Sequence, residues 1–257
     1  MTLSFRQQQI LELAQQNGRV TVDELVERFD VTPQTIRKDL NEMCDSKHFN
    51  RVHGGAMIAS GVANVGYDQR RTIAEAEKQG IGELCAKLIP NNSSLFINIG
   101  TTTEAVAHYL VDHKDMLVIT NNLNVANTLI TNQSCEVIIA GGVLRPADGG
   151  IIGEATVDFI KQFKVDYAVI GASAIDEDGA LLDYDYREVR VAQAIIENAR
   201  ETILVADKIK FERSAPVRIA HLSQISTFVT DAQVSDKLGK ICLANDVKVH
   251  SLPKIGE

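Results

Sequence analysis

From residue 95 onward, seven short apolar runs rich in β-branched residues recur at 95–99, 117–120, 136–140, 166–170, 202–206, 226–230 and 247–252, mostly separated by helix-like segments. No other feature constrains the fold as strongly. Strands buried on both faces read as continuous apolar runs, and their alternation with helices is the rhythm of an α/β domain with a largely parallel, covered sheet. Such sheets bind ligands beyond the carboxyl ends of their strands.

The first of those ends reads LFINIGTTTEAVAHYL, residues 95–110. Gly100 permits a close turn, and Thr101, Thr102 and Thr103 bring backbone N–H groups and hydroxyls to a helix start, where the helix dipole favours an anion. A phosphate fits this pattern, and so does a simple threonine cap. A nucleotide P-loop is excluded, because the Gly-Lys-Ser/Thr ending is missing. Other strand ends add Asn121 and Asn122, Gly141 and Gly142 with Arg145, Gly171 with Ser173, and Asp207 with Lys210, whose ammonium could pair with phosphate. Singly, each suits an ordinary loop; their convergence at several strand ends favours a binding site among them.

The first 57 residues follow another pattern. In VTPQTIRKDL (31–40), Thr32 can cap a helix and Pro33 suits the first helical position. At roughly 100° per residue, Ile36, Leu40 and Met43 share a stripe. Gln34, Lys38 and Asn41 lie opposite, with Thr35 and Arg37 on the shoulders, so groups suited to phosphates and base edges share one side. Thr21 and Glu24 have capping-box spacing before Val22, Leu25, Val26 and Phe29, and Ile10, Leu13 and Ala14 suggest an earlier helix ending near Gly18. Three short helices with one apolar seam are expected, followed by a β-prone run, 49–56, that would place Arg51 and His53 beside a duplex.

Between 57 and 66 the chain turns to Ala, Ser, Gly, Val and Asn, which suits a linker, and a helix is expected from about Thr72 to Leu88 before Pro90. The expected division is a DNA-binding domain over 1–57, a linker over 58–72 and an α/β domain over 73–257. The 257 residues carry a net charge of −8, and residues 1–60 hold seven Lys and Arg against eight Asp and Glu. That is not the basic balance of most DNA binders. Clustering compensates: Arg37, Lys38, Lys47 and Arg51 group together, and distant acids are screened beyond about 8 to 10 Å. The chain has no run of about 18 apolar residues and no apolar leader, so a cytoplasmic protein without a membrane partner is expected. Cysteines 44, 85, 135 and 242 lack metal spacing, and neither metal nor cofactor is expected.

Residues 5–56 resemble the winged-helix domain of DeoR-type bacterial repressors, whose signature runs Val-Ser-x-x-Thr-Ile-Arg-Arg-Asp-Leu and later Arg-x-His-Gly-Gly-Ala. Here Thr32 replaces Ser and Lys38 replaces the second Arg, which keeps the charge and loses the bidentate fork. The remainder is similar to the sensor domain of the same family, itself Rossmann-like and similar in fold to ribose 5-phosphate isomerase. The resemblance equates the Gly-Thr-Thr loop with a phosphate-binding loop, and Asp207-Lys-Ile-Lys210-Phe211 with the pattern Asp-x-Ser-Lys-Phe, where Ile209 departs from Ser. It implies an N-terminal winged helix-turn-helix, an α/β effector domain, operator DNA as partner, and a homo-oligomer, in this family a tetramer. Segments 121–130, 149–160 and 194–200 point, within the family, to repression of glycerol 3-phosphate metabolism with glycerol 3-phosphate as the phosphorylated effector. Another sugar phosphate acting on another carbohydrate operon is the alternative.

Two other classes remain to be weighed. Aldose-ketose isomerisation needs a placed carboxylate, and the isomerases carry Asp-Gly-Ala-Asp-Glu on one loop. With Gly171 aligned, this chain reads Ile170-Gly-Ala-Ser-Ala174, without those acids, and Asp176, Glu177 and Asp178 suit a solvated turn. Binding without turnover is therefore expected. A DNA-binding oligomer without ligand, its threonines merely capping, is the third possibility.

Overall fold

The computed structural model describes residues 3–17, 19–46, 48–52, 54–58 and 66–253. The chain divides into two units, Met1–Glu75 and Ala76–Glu257.

In the first unit, α1 (Phe5–Asn17), β1 (Arg19–Thr21), α2 (Val22–Phe29) and α3 (Pro33–Asp45) precede a hairpin of β2 (Phe49–Val52) and β3 (Gly55–Ile58). Thr21 caps α2 by accepting from the Glu24 N–H at 3.3 Å, and Asp30 turns the chain left-handed at φ 50°. Thr32 caps α3 in the same way, accepting from the Thr35 N–H, with Pro33 inside the first turn. Ile10, Leu13, Leu25, Ile36, Leu40 and Met43 form one core with Val20, Phe49 and Ala56. The expected β-prone run is the hairpin β2–β3, and β1 completes an antiparallel sheet in the order β1-β3-β2. Gly55 is required there, since a Cβ would collide with the Val20 carbonyl of the neighbouring strand. In the segment expected as linker, Tyr67–Thr72 forms a short helix, α4.

The second unit opens with α5 (Glu75–Lys87), shorter than the helix expected from Thr72, because Ala74 at φ 52° separates it from α4. Then follow β4 (Ser94–Ile97), α6 (Thr101–Tyr109), β5 (Met116–Thr120), α7 (Leu123–Leu129), β6 (Cys135–Ile139), β7 (Val143–Arg145), β8 (Gly150–Ile152), α8 (Glu154–Ile160) and β9 (Val165–Ile170). The remainder is β10 (Ala174–Ile175), β11 (Ala180–Asp183), α9 (Tyr186–Glu197), β12 (Ala199–Val205), a 3-10 turn (Lys208–Glu212), β13 (Val217–His221), β14 (Thr227–Thr230), α10 (Asp236–Ala244) and β15 (Lys248–Ser251).

All seven runs expected as strands lie in one parallel sheet, ordered β15-β14-β12-β9-β4-β5-β6. Ile81, Val106, Val118 and Val125 join one core, which sets α5, α6 and α7 on one face. Phe96, Ile119, Val157, Val191 and Ile195 join another, which sets α8 and α9 on the opposite face. From β4 the chain winds one way to β5 and β6; from β9 it winds the other way to β12, β14 and β15. The switch point therefore lies between β4 and β9, where sheets of this kind open a crevice for ligands. Two additions were not expected from the sequence: the hairpin β7–β8, and the small antiparallel sheet β10-β11-β13.

Candidate functional site

Two groups of side chains were expected to act, and each unit holds one. In the first, Thr32, Gln34, Arg37, Lys38 and Asn41 are exposed on α3 and Thr35 is half-buried, while Ile36, Leu40 and Met43 are fully buried. The Thr32 and Thr35 hydroxyls share a hydrogen bond at 2.9 Å, so both serve the helix start as well as any partner. Arg51 is exposed on β2 beside the turn. His53 and Lys47 lie outside the described residues.

What holds that helix in place came from residues not singled out in the sequence. Asp39 is 6% exposed and accepts from Arg6 Nε at 2.6 Å, and Gln7 Nε2 donates to Glu42 Oε2 at 2.9 Å. These bonds fasten α1 to the inner side of α3. The hydrogen bond to Asp39 raises the Arg6 pKa against the opposing effect of burial. The Asp in VTPQTIRKDL is thus a fastening, and the cations before it are what α3 presents to solvent.

In the second unit the expected residues gather at the carboxyl edge of the sheet. Gly100 begins α6 at φ 151°, a backbone shape that glycine adopts without strain. The first i−4 bond of α6 runs from the Glu104 N–H to the Gly100 carbonyl at 2.9 Å, so the first-turn N–H groups of Thr101, Thr102 and Thr103 lie ahead of the helical ladder. Thr102 is 6% exposed; the Thr103 hydroxyl is spent internally on the Asn98 and Gly100 carbonyls, both at 2.7 Å. A Cβ at Gly171 would lie 4.0 Å from Thr103 Cγ2 and 3.8 Å from the Val205 carbonyl, so the loops after β4, β9 and β12 meet.

Asn121 and Asn122 are fully buried. Asn121 Nδ2 donates to the Ile151 carbonyl at 3.0 Å, fastening β8 over the end of β5. Asn122 caps α7, and its amide, with that of Asn124, donates to Glu104 Oε1, each at 3.0 Å. Glu104 is a buried carboxylate in the first turn of α6, so these bonds bind the starts of α6 and α7 together. Asn124 also donates to the Asp148 carbonyl at 3.1 Å.

Arg145 is placed otherwise than a ligand cation would be. Its Nε and one terminal nitrogen meet Asp148 at 2.8 and 2.6 Å, that same nitrogen meets Glu188 at 2.7 Å, and the other approaches Asp185 at 3.4 Å. Burial opposes the charge, but Asp148 and Glu188 outweigh it and raise the pKa. Arg145 clasps the β7–β8 hairpin to the start of α9. Gly141 and Gly142 are exposed beyond β6, with the Gly141 carbonyl accepting from the Thr156 hydroxyl at 2.9 Å.

After β12, Asp207 is 1% exposed and caps the 3-10 turn by accepting from the Ile209 N–H at 3.1 Å. Ile209 is buried, so a side chain larger and more apolar than the family's Ser packs inward while the turn is kept. Lys210 and Ser173 sit in this neighbourhood, half-buried and buried respectively. Asp231, at the end of β14, accepts from the Lys208 N–H at 2.6 Å; burial raises its pKa. The acids Asp176, Glu177 and Asp178 are exposed in the β10–β11 turn, where Glu177 pairs with Lys237 at 3.0 Å. An open cavity lined by Glu201, Ser226, Asn245 and Lys248 lies at the opposite, amino edge of the sheet, away from all of these groups. Among the described residues, no cluster of His, Cys, Asp and Glu has the makings of a metal site.

The sequence profile of the DeoR-like helix-turn-helix domain matches residues 6–62, and that of the DeoR C terminal sensor domain matches 73–232. The glycerol-3-phosphate regulon repressor of Escherichia coli (strain K12) is 50% identical over 232 residues, which span 90% of this chain and 92% of that protein. Its namesake in Haemophilus influenzae is 50% identical over 230 residues, 90% of each chain. The HTH-type transcriptional repressor CsqR of Escherichia coli is 40% identical over 231 residues, 90% of this chain and 88% of its own. Among solved structures, ribose 5-phosphate isomerase A from Neisseria gonorrhoeae aligns over 52% of each chain at 12% identity with a TM-score of 0.39, a likeness too slight to carry an argument.

Proposed function

The chain belongs to the DeoR family, as a transcriptional repressor with a DNA-binding helix-turn-helix ahead of a sensor domain, and from that premise we propose that it represses genes of glycerol 3-phosphate metabolism and leaves its operator when glycerol 3-phosphate binds the sensor. The observation that carries this reading is the 50% identity, over at least 90% of each chain, with two repressors that share one name.

In this reading α3 enters the major groove. Gln34, Thr35 and Asn41 face base edges, Arg37 and Lys38 supply charge, Thr32 meets the backbone, and Arg51 with His53 follows the duplex from the wing. A single winged helix covers few base pairs, so the active species is a symmetric homo-oligomer, a tetramer by family precedent. The edge strand β6 suits self-association: it reads Cys-Glu-Val-Ile-Ile, with Ile139 44% exposed and Val143 beyond it 66% exposed.

The effector's phosphate sits at the start of α6, against Gly100, Thr101 and Thr102, with Lys210 as counter-charge, and Asn121, Ser173 and Asp207 line the rest of the effector site. Thr103, Asn122, Gly141, Gly142 and Arg145 serve in this reading to shape the site rather than to touch the effector. The effector must prefer the conformation that does not fit the operator, since equal affinity for both states shifts nothing. The site binds without turning over, in the cytoplasm; the loop after β9 reads Gly-Ala-Ser without an acid, and the trio 176–178 is solvated in the β10–β11 turn.

Thermal unfolding across a panel of phosphorylated metabolites tests the reading, because a ligand bound only by the folded state raises its melting temperature. Glycerol 3-phosphate is expected to give the largest rise, with no isomerase turnover of pentose or hexose phosphates. A different metabolite giving the largest rise would move the repressor to another operon, and turnover would make it an enzyme.

A further inference from the structure

Two buried amides at the carboxyl edge of the sheet keep a carbonyl oxygen that the fastenings described above do not use, although Asn121 Nδ2 donates to the Ile151 carbonyl. Asn98 follows β4 and Asn121 follows β5, and the parallel register that pairs Ile97 with Thr120 makes the two amides lateral neighbours. Neighbouring strands lie about 4.8 Å apart. Side chains alternate along a strand, and Phe96 and Ile119, two residues earlier, belong to one core, so Asn98 and Asn121 project from the same face. They are 3% and 0% exposed, and the Oδ1 of each has no hydrogen-bond partner among the described residues. Buried polar atoms seldom remain so. The Asn98 N–H meanwhile donates to the Val169 carbonyl at 3.0 Å, which fixes this residue across the β4–β9 switch.

Resting on the effector reading given above, we propose that Asn98 and Asn121 form the hydroxyl-reading half of the sensor site, and that Asn98 thereby sets its preference for a phosphorylated polyol over a bare phosphate or a deoxygenated ester. The two carbonyl oxygens are acceptors on neighbouring strands, and a vicinal diol offers two O–H donors. The Thr103 hydroxyl, bonded to the Asn98 carbonyl at 2.7 Å, ties the phosphate-facing loop to this pair. The division of labour is then charge recognition at the α6 start and hydroxyl counting at the sheet edge. An ester lacking the hydroxyl leaves the amides unsatisfied inside the complex, which is the situation in which enzymes and receptors discriminate most sharply.

The test is calorimetric titration of the intact chain with glycerol 3-phosphate, 3-hydroxypropyl phosphate and inorganic phosphate, for the natural protein and for Asn98→Leu and Asn98→Ser. The natural protein is expected to bind glycerol 3-phosphate about tenfold or more tightly than 3-hydroxypropyl phosphate. Both variants should bind the two esters about equally and still bind inorganic phosphate. Cooperative melting without ligand selects the variant that is folded, and the preference of the natural protein is itself decisive if neither folds. A natural protein without that preference, or a folded variant that keeps it, overturns the inference and leaves the effector reading standing. A natural protein that binds none of the three overturns both.

Discussion

The two units use opposite designs for recognition. The DNA-binding unit buries its scaffold and exposes the residues proposed as contacts: Ile36, Asp39, Leu40 and Met43 point inward while Gln34, Arg37, Lys38 and Asn41 stand in solvent. The sensor does the reverse, and the residues proposed to hold the effector, Asn98, Thr102, Asn121, Ser173 and Asp207, are all buried at the sheet edge. A duplex is a large, rigid, charged surface that can be met from outside, whereas a small ester offers little area and must be surrounded. The difference also separates how each can fail. Substitutions in the first group should change affinity and leave folding alone, whereas most in the second should disturb both.

The largest effect expected from this contrast is in the sensor. Arg145→Ala takes from Asp148, whose side chain is 2% exposed, its bond of 2.6 Å to a cation, and from Glu188 one of 2.7 Å, while the Gly150 N–H still donates to Asp148. Breaking such a buried pair costs about 3–5 kcal/mol. Urea unfolding should show that loss in the unit 76–257, and an unchanged midpoint would mean the clasp is dispensable. Next comes Arg37→Ala, which should cost about 1–3 kcal/mol in operator affinity and reduce the salt dependence of binding. Its melting temperature should stay as in the natural protein. Fluorescence binding at several salt concentrations checks this, and an unaltered affinity and slope would remove α3 from the interface.

The smallest effect is a pH dependence. The hydrogen bond from Arg187 holds the Asp185 carboxyl below its ordinary range, against a smaller opposing effect of burial. A lowered folded value means that the unfolded chain takes up the proton first. The stability this contributes is present above about pH 4 and is lost as pH falls through the folded value. Asp185→Asn should therefore flatten the acid limb of the stability curve between about pH 5 and pH 3. An unchanged limb would assign acid sensitivity to other carboxylates.

Legibility in the sequence followed the same division. Caps at Thr21 and Thr32 act within three residues, so the helix-turn-helix could be read from a short window. The five inner strands were legible because burial on both faces makes their sequences largely apolar, and the edge strands β6 and β15, more exposed, were legible by their β-branched residues and their place in the alternation. The β10-β11-β13 sheet was not, since its strands are short and its pairing joins Ala180 to His221 across the whole of α9. Arg145 looked like a ligand cation until Glu188, 43 residues away, was brought to it. Asn122 and Asn124 find Glu104 across 18 and 20 residues, a separation that no local pattern records. Asn98 was hidden differently, as one polar letter inside the strand-like run Leu-Phe-Ile-Asn-Ile, and only the register with β5 gives it a neighbour and a meaning.

In the proposed switch, a phosphate ester held at the start of α6 controls what α3 holds. Fluorescence anisotropy of labelled operator DNA, titrated with glycerol 3-phosphate for the natural protein and for Thr102→Val, measures this directly. The natural protein is expected to release the DNA, and Thr102→Val to bind the same DNA and fail to let go at the same ligand concentration. DNA that stays bound to the natural protein at saturating glycerol 3-phosphate, or is released equally from both, would contradict it.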